Sequence, residues 1–166
     1  AVLYFLMKTG FNGIYQVNKN TNDRYGTPSG LLNQKTVVYE KDVVQWWNKS
    51  LQNTQILSGD WKECCGYVED EKDNFVFLDP PYRGSFTSYG QEFSDDNQLD
   101  LINYVAENKN TKVFLCNRDI GDNFYENNLG DLLIDKFPVT YTAGRRKKTD
   151  AGFEAKPATE VLIRNK

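Results

Sequence analysis

The stretch Asn74-Phe75-Val76-Phe77-Leu78-Asp79-Pro80-Pro81-Tyr82 decides the fold class of this chain. A continuous apolar run is typical of a strand buried on both faces of a sheet. Two prolines end the run abruptly, because neither can donate a hydrogen bond to a neighbouring strand. The sequence therefore predicts a buried strand over 74–78 whose carboxyl end opens into an Asp-Pro-Pro-Tyr loop.

Helix and strand patterns alternate on both sides of this loop. The predicted helices cover 37–51, about 95–109 and 120–128, and the other predicted strands cover 54–57, 112–116, 131–137, 140–143 and 159–163. Such alternation predicts an α/β fold with a mostly parallel sheet and helices on both faces. Ligands of these sheets lie beyond the carboxyl ends of the strands, where residues 79–82 stand.

Composition excludes several kinds of site. The 166 residues hold three cysteines and no histidine, so neither a paired-CxxC zinc site nor a histidine general base can form, and we expect no metal. A net charge of −3 neither supports nor excludes DNA, so nucleic-acid contacts must come from local basic clusters. Adjacent Cys64 and Cys65, with Cys116, predict free thiols in a reducing compartment.

The first residues predict a helix and an incomplete chain. The segment Val2-Leu3-Tyr4-Phe5-Leu6-Met7 reads as a buried helix with no cap and no basic leader before it. We therefore expect a chain that is incomplete at its N-terminus. Residues 9–34 are rich in Gly, Asn, Thr and Pro, which predicts a long ordered loop or a small hairpin. No apolar run approaches the roughly 20 residues that span a bilayer, so no membrane partner is expected.

Each polar position of the Asp-Pro-Pro-Tyr loop suits methyl transfer to an exocyclic amine. The Asp79 carboxylate and the Pro80 carbonyl can accept hydrogen bonds from an amino nitrogen and aim its lone pair at an electrophilic methyl group. Tyr82 offers a flat face for a base that is pulled out of a duplex. The alternative is a turn in which Asp79 and two prolines merely close the strand.

The sequence resembles the Dam-type (D12 class) DNA adenine-N6 methyltransferases. The resemblance is carried, in the family's order, by Thr9-Gly10-Phe11-Asn12-Gly13-Ile14 with Asn18, by residues 76–82 with Phe86-Thr87-Ser88-Tyr89 and Phe93, and by residues 159–165. It implies a partial Rossmann-like methyltransferase sheet, with a small inserted DNA-recognition subdomain. Residues 1–52 would hold a helix and the target-recognition region, and residues 53–166 the C-terminal part of the catalytic domain.

The same resemblance assigns residues to the methyl donor. Asp79, Pro80 and Tyr82 would bind the target amine and base, and Asp79 and Tyr82 would also border S-adenosylmethionine. Asp60 stands where the family's polar turn meets the adenine of the donor, with Trp61 beside it. The alternative for Asp60 is a simple turn that ends a strand.

DNA-contacting residues are expected in two places. The resemblance places a DNA-binding hairpin after Phe11-Asn12-Gly13. Lys19 and Arg24 there could contact phosphates or base edges or could be solvated surface, and Asn12 could bond to bases or merely shape a turn. Gln16 replaces an arginine often found in the family, which puts the recognised DNA sequence in doubt. The one concentrated basic patch, Arg145-Arg146-Lys147-Lys148, predicts phosphate contact beside the catalytic cleft, although basic runs are often only solvated loops.

The family's Phe-x-Gly-x-Gly cofactor turn is absent, and no Gly-x-Gly occurs in the chain. Such a turn lets the backbone approach the methionine part of the donor. Three functions therefore compete: a DNA adenine methyltransferase fragment, a catalytically incomplete DNA-binding relative, and a methylase of protein glutamine or RNA. Asp at position 79 favours DNA adenine over glutamine methylases, whose loop begins with Asn. We expect double-stranded DNA as partner, self-association through an exposed sheet edge, and the cytoplasm of a bacterial or phage-infected cell.

Overall fold

The chain divides into two units, Ala1–Leu57 and Ser58–Lys166, each with its own internal packing. The computed structural model describes residues 2–22, 24–30, 39–84, 93–141, 147–149, 152–154 and 156–166. Within those ranges, no helix combines the length and apolar character needed to cross a bilayer.

A four-stranded sheet forms the centre of the second unit. Its strands are β3 (Phe75–Leu78), β4 (Lys112–Asp119), β5 (Leu133–Tyr141) and β8 (Lys156–Arg164), and they lie in the order β3-β4-β8-β5. The α/β class is confirmed, but the expectation of a mostly parallel sheet is wrong. Only β3 and β4 are parallel, whereas β8 runs antiparallel to both of its neighbours. Between β5 and β8 the described residues form a short hairpin, at 147–149 and 152–154, and no crossover helix, and a connection of this kind gives antiparallel pairing.

The described residues of this unit form three helices: α3 (Trp61–Cys65), α4 (Asp95–Glu107) and α5 (Phe124–Asn128). Ser94 and Asn97 cap the start of α4 reciprocally, so this helix begins at a fixed residue. Apolar residues of the strands and helices form one core, which comprises Val76, Leu78, Leu101, Ile102, Val105, Val113, Leu115, Tyr125, Leu129, Val161 and Ile163. The core lies on the sheet face that carries Val76 and Leu78, while the intervening Phe75 and Phe77 remain 61% and 56% exposed.

Three predicted elements differ from the structure. The strands expected at 131–137 and 140–143 are one strand, β5, as far as Tyr141, because β8 pairs with it without interruption from Leu133 to Tyr141. Residues 142–143 lie outside the described residues. The helix expected at 120–128 begins only at Phe124, after an Asn123 with a φ of 59°. Residues 54–57 form no strand, since no described strand pairs with them and their apolar side chains Ile56 and Leu57 are exposed.

The first unit contains two helices and a small hairpin. The helices are α1 (Val2–Thr9) and α2 (Lys41–Ser50), and the hairpin pairs β1 (Val17–Asn18) with β2 (Arg24–Tyr25). A second hairpin, β6 (Lys147–Thr149) with β7 (Gly152–Glu154), belongs to the other unit. The helix at the start and the hairpin are as predicted. The expected burial of α1 is wrong: Val2, Leu3 and Phe5 are exposed, because no second layer of described structure in this unit covers them.

Candidate active site

The Asp-Pro-Pro-Tyr loop leaves the sheet at the carboxyl end of β3, where the sequence places it. Leu78 pairs with Leu115 in parallel register, so the next residues, Asp79 and Cys116, are neighbours. Asp79 is exposed, and the following residues through Tyr82 are half-buried. The loop therefore exposes one carboxylate to solvent, while the residues that follow it are partly buried.

A thiol orients this carboxylate. Cys116 Sγ donates a hydrogen bond of 3.2 Å to Asp79 Oδ1. Burial raises the pKa of Cys116 to about 12, and the bond to Asp79 acts in the same direction. The thiol is therefore neutral at physiological pH and can only stabilise, not oppose, the negative charge on Asp79. Within the described part of the chain, no residue donates to Oδ2.

The Tyr82 phenol is also held neutral. Burial raises its pKa, and the negative charges of Glu160 and Asp79 add to the rise. Glu160 itself accepts a hydrogen bond of 2.7 Å from Tyr141 Oη. Tyr82 therefore presents an uncharged aromatic ring beside the Asp79 carboxylate.

Arg83 anchors the end of the loop. Its guanidinium donates two bonds to Asp95, of 2.6 and 2.8 Å, and two to Asp122, of 2.8 and 2.7 Å. It also lies 3.9 Å above the ring of Phe124. The hydrogen bonds from Arg83 lower the pKa of both carboxyl groups. Arg83 thus connects the end of the loop both to the start of α4 and to the turn before α5.

Asp60 and Trp61, the residues assigned to the donor, begin α3. Asp60 is the N-cap of this helix, and its Oδ1 accepts from the Lys62 backbone N–H at 2.9 Å. Trp61 packs edge-on against Tyr104, with ring centroids 5.8 Å apart. A cavity of about 460 Å³ lies beside Trp61, but its lining includes Lys62, Asp100 and Tyr104 and no residue of the Asp79 loop. Both residues therefore have structural roles, and their contact with a donor stays a prediction.

The residues assigned to DNA are spread over the chain. Asn12 is exposed in a 3-10 turn with a φ of 53°, and Arg24 is exposed on β2. Lys19 begins the turn between β1 and β2, and Lys147 is the first residue of β6. Arg145 and Arg146 lie outside the described residues. The DNA assignments therefore stay predictions.

Sequence reasoning missed Arg83, the last residue of the segment 79–83, and three residues that bond to this segment. The three are Cys116, Gln98 and Asn117. The bonds between the segment and these three residues join positions that are 17 or more residues apart in the sequence. No local pattern could indicate such contacts, although the polar Gln98 within the apolar stripe of a predicted helix was a usable signal.

Comparison with known proteins shows the family of this chain. The profile of the D12 class N6 adenine-specific DNA methyltransferases matches residues 1–147. The chain is 34% identical to the type II methyltransferase M.MjaIII of Methanocaldococcus jannaschii over 99% of its own length and 56% of that protein. It is 26% identical to M1.LlaDCHI of Lactococcus lactis subsp. cremoris, over 99% of itself and 57% of the relative. The chain thus spans little more than half the length of these relatives, and it belongs to the D12 class of N6 adenine-specific DNA methyltransferases.

Proposed function

We propose that this chain carries the target-amine site of a DNA adenine methyltransferase. The reaction transfers a methyl group from S-adenosylmethionine to N6 of an adenine turned out of double-stranded DNA. The observation that supports this proposal is the exposed Asp79 carboxylate, which stands at the carboxyl end of β3 on a loop fixed by Cys116 and Arg83. The family match covers this whole region.

The loop residues perform the chemistry by position and charge. Asp79 Oδ2 and the Pro80 carbonyl oxygen, to which no described residue donates, accept hydrogen bonds from the two N–H groups of the amine. These bonds withdraw the nitrogen lone pair from the ring and direct it outward. The neutral ring of Tyr82 stacks on the extruded base and holds it in place. The electrophilic methyl group is what S-adenosylmethionine supplies when it is bound.

The residues of this chain fit one end of the donor. Asp60 is exposed at the start of α3 and uses Oδ1 to cap the helix, so Oδ2 can accept from the amino group of the donor's adenine. No Gly-x-Gly turn is present for the methionine end. Asp60, Trp61 and Asp79 therefore form the part of the donor site that we assign to this chain.

A second candidate is a DNA-binding relative that does not use the donor. Such a relative would not need a Gly-x-Gly turn, and none occurs in these 166 residues. Binding would then rest on Asn12, Lys19, Arg24 and the basic run that includes Arg145, Arg146 and Lys147. Such binding weakens steeply as salt rises, because each phosphate contact releases counterions.

The proposal also covers self-association and the cellular compartment of the protein. The edge of β3 has no partner strand among the described residues, and this supports self-association through that edge. Cys64, Cys65 and Cys116 form no disulfide, as predicted, and this supports a reducing compartment such as the cytoplasm.

Titration calorimetry with S-adenosylmethionine separates the two candidates. The wild-type chain is compared with a variant that carries Asp60→Ala and Asp79→Ala, and with Asp131→Ala, which removes an exposed acid elsewhere. Binding by the wild type and by Asp131→Ala, and not by the double variant, supports the methyltransferase. DNA affinity with a steep salt dependence, but no donor binding, supports the second candidate.

A transfer assay tests the role of Asp79 directly. The protein is incubated with tritium-labelled donor and genomic DNA that lacks adenine methylation, so the recognised sequence need not be known. We expect Asp79→Ala to abolish transfer while its unfolding transition stays that of the wild type. Wild-type turnover by this variant would contradict the proposed mechanism.

A further inference from the structure

Two side-chain amides are buried directly beneath the Asp-Pro-Pro-Tyr loop. Gln98 on α4 is 1% exposed, and Asn117 on β4 is completely buried. Both residues are rare at such depth, because a buried amide is costly unless all its polar atoms find partners. Their partners therefore indicate what the two amides do.

The two amides connect two points of the loop backbone. Gln98 Nε2 donates to the Pro81 carbonyl at 3.0 Å, and Asn117 Nδ2 donates to Gln98 Oε1 at 3.0 Å. Asn117 Oδ1 accepts from the backbone N–H groups of Arg83, at 2.9 Å, and Arg118, at 2.8 Å. Since a backbone N–H can only donate, the orientation of Asn117 is fixed, and through it that of Gln98.

These bonds restrain the torsions that set the direction of the site. The ring of Pro81 fixes its φ, and the bond from Gln98 to its carbonyl restrains its ψ. The Pro80 carbonyl, in the peptide plane before Pro81, is therefore held relative to the sheet. Tyr82 lies between the two anchored groups, so its backbone cannot turn without breaking one of the bonds.

The two amides do more than fill the space beneath the loop. Apolar side chains of similar volume would leave the Pro81 carbonyl and the backbone N–H groups of Arg83 and Arg118 without these partners. The polar atoms of Gln98 and Asn117 instead bond to each other and to main chain, and two of these bonds end on the loop itself.

We infer that Gln98 and Asn117 are positioning residues for methyl transfer, a relay of amides that holds the Pro80 carbonyl and Tyr82 in their reactive orientation. This inference rests on the proposed function for its catalytic consequence. Its structural part, the restraint of segment 81–83, stands or falls independently of whether the protein transfers methyl groups.

Three single variants test the relay in the natural protein. Gln98→Met and Asn117→Leu keep the approximate volume and remove the bonds. Thr111→Val is the matched control: Thr111 is also fully buried and polar, but its hydroxyl bonds to Glu69 and Glu71, beyond the opposite end of β4. All three variants should lower the melting temperature, so stability alone cannot distinguish a positioning role from a structural one.

Two readouts make that distinction. The first is the single-turnover rate of methyl transfer at saturating donor and DNA, which should fall about 10- to 100-fold in Gln98→Met and Asn117→Leu, because small displacements of reacting groups cost rates of this order. The dissociation constant for S-adenosylmethionine should change less than about twofold, since neither residue is assigned to the donor. Thr111→Val should keep the wild-type rate. A Gln98→Met/Asn117→Leu double variant should be no slower than the slower single variant, because the two residues act as one relay.

The second readout is hydrogen exchange of the Arg83 backbone amide, followed by NMR, which needs no activity. This amide should be protected in the wild type and in Thr111→Val, and should exchange at least about 10-fold faster in Asn117→Leu, where its acceptor is removed.

Unchanged protection of Arg83 in Asn117→Leu would overturn the relay, as would wild-type transfer rates in both relay variants. If the wild type transferred no methyl group while the Arg83 amide lost its protection as described, the relay would stand and the proposed function would fail.

Discussion

Each of the two units is stabilised internally by a different kind of interaction. The second unit has a core of buried apolar side chains, including Val105, Val113 and Leu115, that joins strands far apart in sequence. In the first unit, Thr9 is the only buried residue among those whose burial is described. Its segments are joined by hydrogen bonds, such as those from Gly30 N to Thr9 O at 2.7 Å and from Phe11 N to Pro28 O at 2.9 Å.

The difference matches the work that we propose for each unit. Chemistry on an amine requires reacting atoms to be held within fractions of an ångström, and a close-packed core with buried hydrogen bonds provides such rigidity. Contact with DNA depends on side chains that project from turns, and these can change without disturbing a core. Gln16, which departs from the family pattern, is an exposed residue of this kind.

The largest expected effect comes from the core of the second unit. Leu115 is fully buried and pairs with Leu78 and Ile163 on the neighbouring strands. Leu115→Ala should lower the free energy of unfolding by about 2–5 kcal/mol, because it removes buried methyl groups and leaves a cavity. Urea denaturation followed by circular dichroism measures this change.

Two matched variants test the contrast behind that prediction. Phe5→Ala, on an exposed position of α1, should change the free energy of unfolding by no more than about 0.5 kcal/mol. Phe77 lies on the exposed face of the sheet that contains Leu115. Phe77→Ala should change the free energy of unfolding equally little. A loss at Phe77 comparable to that at Leu115 would show that this face is covered in solution, and the comparison of the two units would then need revision.

The next effect concerns the close backbone contacts of the first unit. A Cβ at Gly10 would lie 2.6 Å from Tyr25 Oη and 2.8 Å from the Leu6 carbonyl oxygen. Gly10→Ala should therefore cost about 1–3 kcal/mol locally, as overpacking does. We expect faster amide exchange at Phe11 and Gly30, with no change in the unfolding of the second unit.

Gly26→Ala is the control for this change. A Cβ at Gly26 would meet its nearest atoms at 3.5 Å or more, which is ordinary contact. An equal increase in the amide exchange of Phe11 and Gly30 in Gly26→Ala and Gly10→Ala would show that close packing around Gly10 does not order this unit.

A smaller loss is expected at Arg83, which joins the catalytic loop to two acidic residues. Arg83→Gln removes both ion pairs and should lower the free energy of unfolding by about 1–2 kcal/mol, since the Arg83 side chain is only 12% exposed but its partners are solvated. The pKa of Asp95 and of Asp122 is lowered in the folded state, so this stabilisation is present above their unfolded pKa values and is lost as the solution becomes acidic. Thermal melting of both proteins between pH 7 and low pH measures it. A constant difference across this range would contradict the assigned ion pairs.

The sequence predicts the elements around the site better than the contacts that fix it. Apolar patterning locates β3, α4 and β4, because this signal is local. The prediction of a strand at 54–57 fails because this segment lacks a partner strand among the described residues, and local sequence does not determine strand pairing. The bonds that join the loop to Gln98, Asn117 and Cys116 connect residues brought together only by folding, and no spacing rule predicts them.

A modest catalytic effect is expected at Cys116. Cys116→Ala removes the donor to Asp79 Oδ1, so the carboxylate is less well oriented, whereas Cys116→Ser retains a donor. We expect the rate of methyl transfer to fall about 3- to 10-fold in the alanine variant, the size of one hydrogen bond of about 1 kcal/mol, and less in the serine variant. Cys64→Ser serves as the control for loss of a thiol. Equal rates in the alanine and serine variants would mean that the hydrogen bond does not orient Asp79.

The smallest effect is expected at Asp70, which fixes the start of β4 from the end opposite the site. Its carboxylate accepts from the backbone N–H groups of Lys109 at 3.0 Å, Asn110 at 2.9 Å and Thr111 at 2.7 Å. These bonds, led by that from Thr111, lower the pKa of Asp70 from 3.8 to about 2. A lowered folded-state pKa stabilises the protein above about pH 4, and the contribution disappears as the pH falls towards 2.

Asp70→Asn should therefore melt slightly below the wild type at pH 7, and the two melting temperatures should converge between pH 4 and pH 2. The difference should be small, because the carboxylate is exposed and water screens its charge. Asp73→Asn, which removes an exposed charge that no described donor contacts, corrects for the change in net charge. Convergence would show that hydrogen bonds at the far end of β4 help to hold the strand that carries Cys116 and Asn117. A difference that persisted unchanged to pH 2 would assign the effect of Asp70 to side-chain shape instead, and the rigidity of β4 would then rest on its buried apolar residues alone.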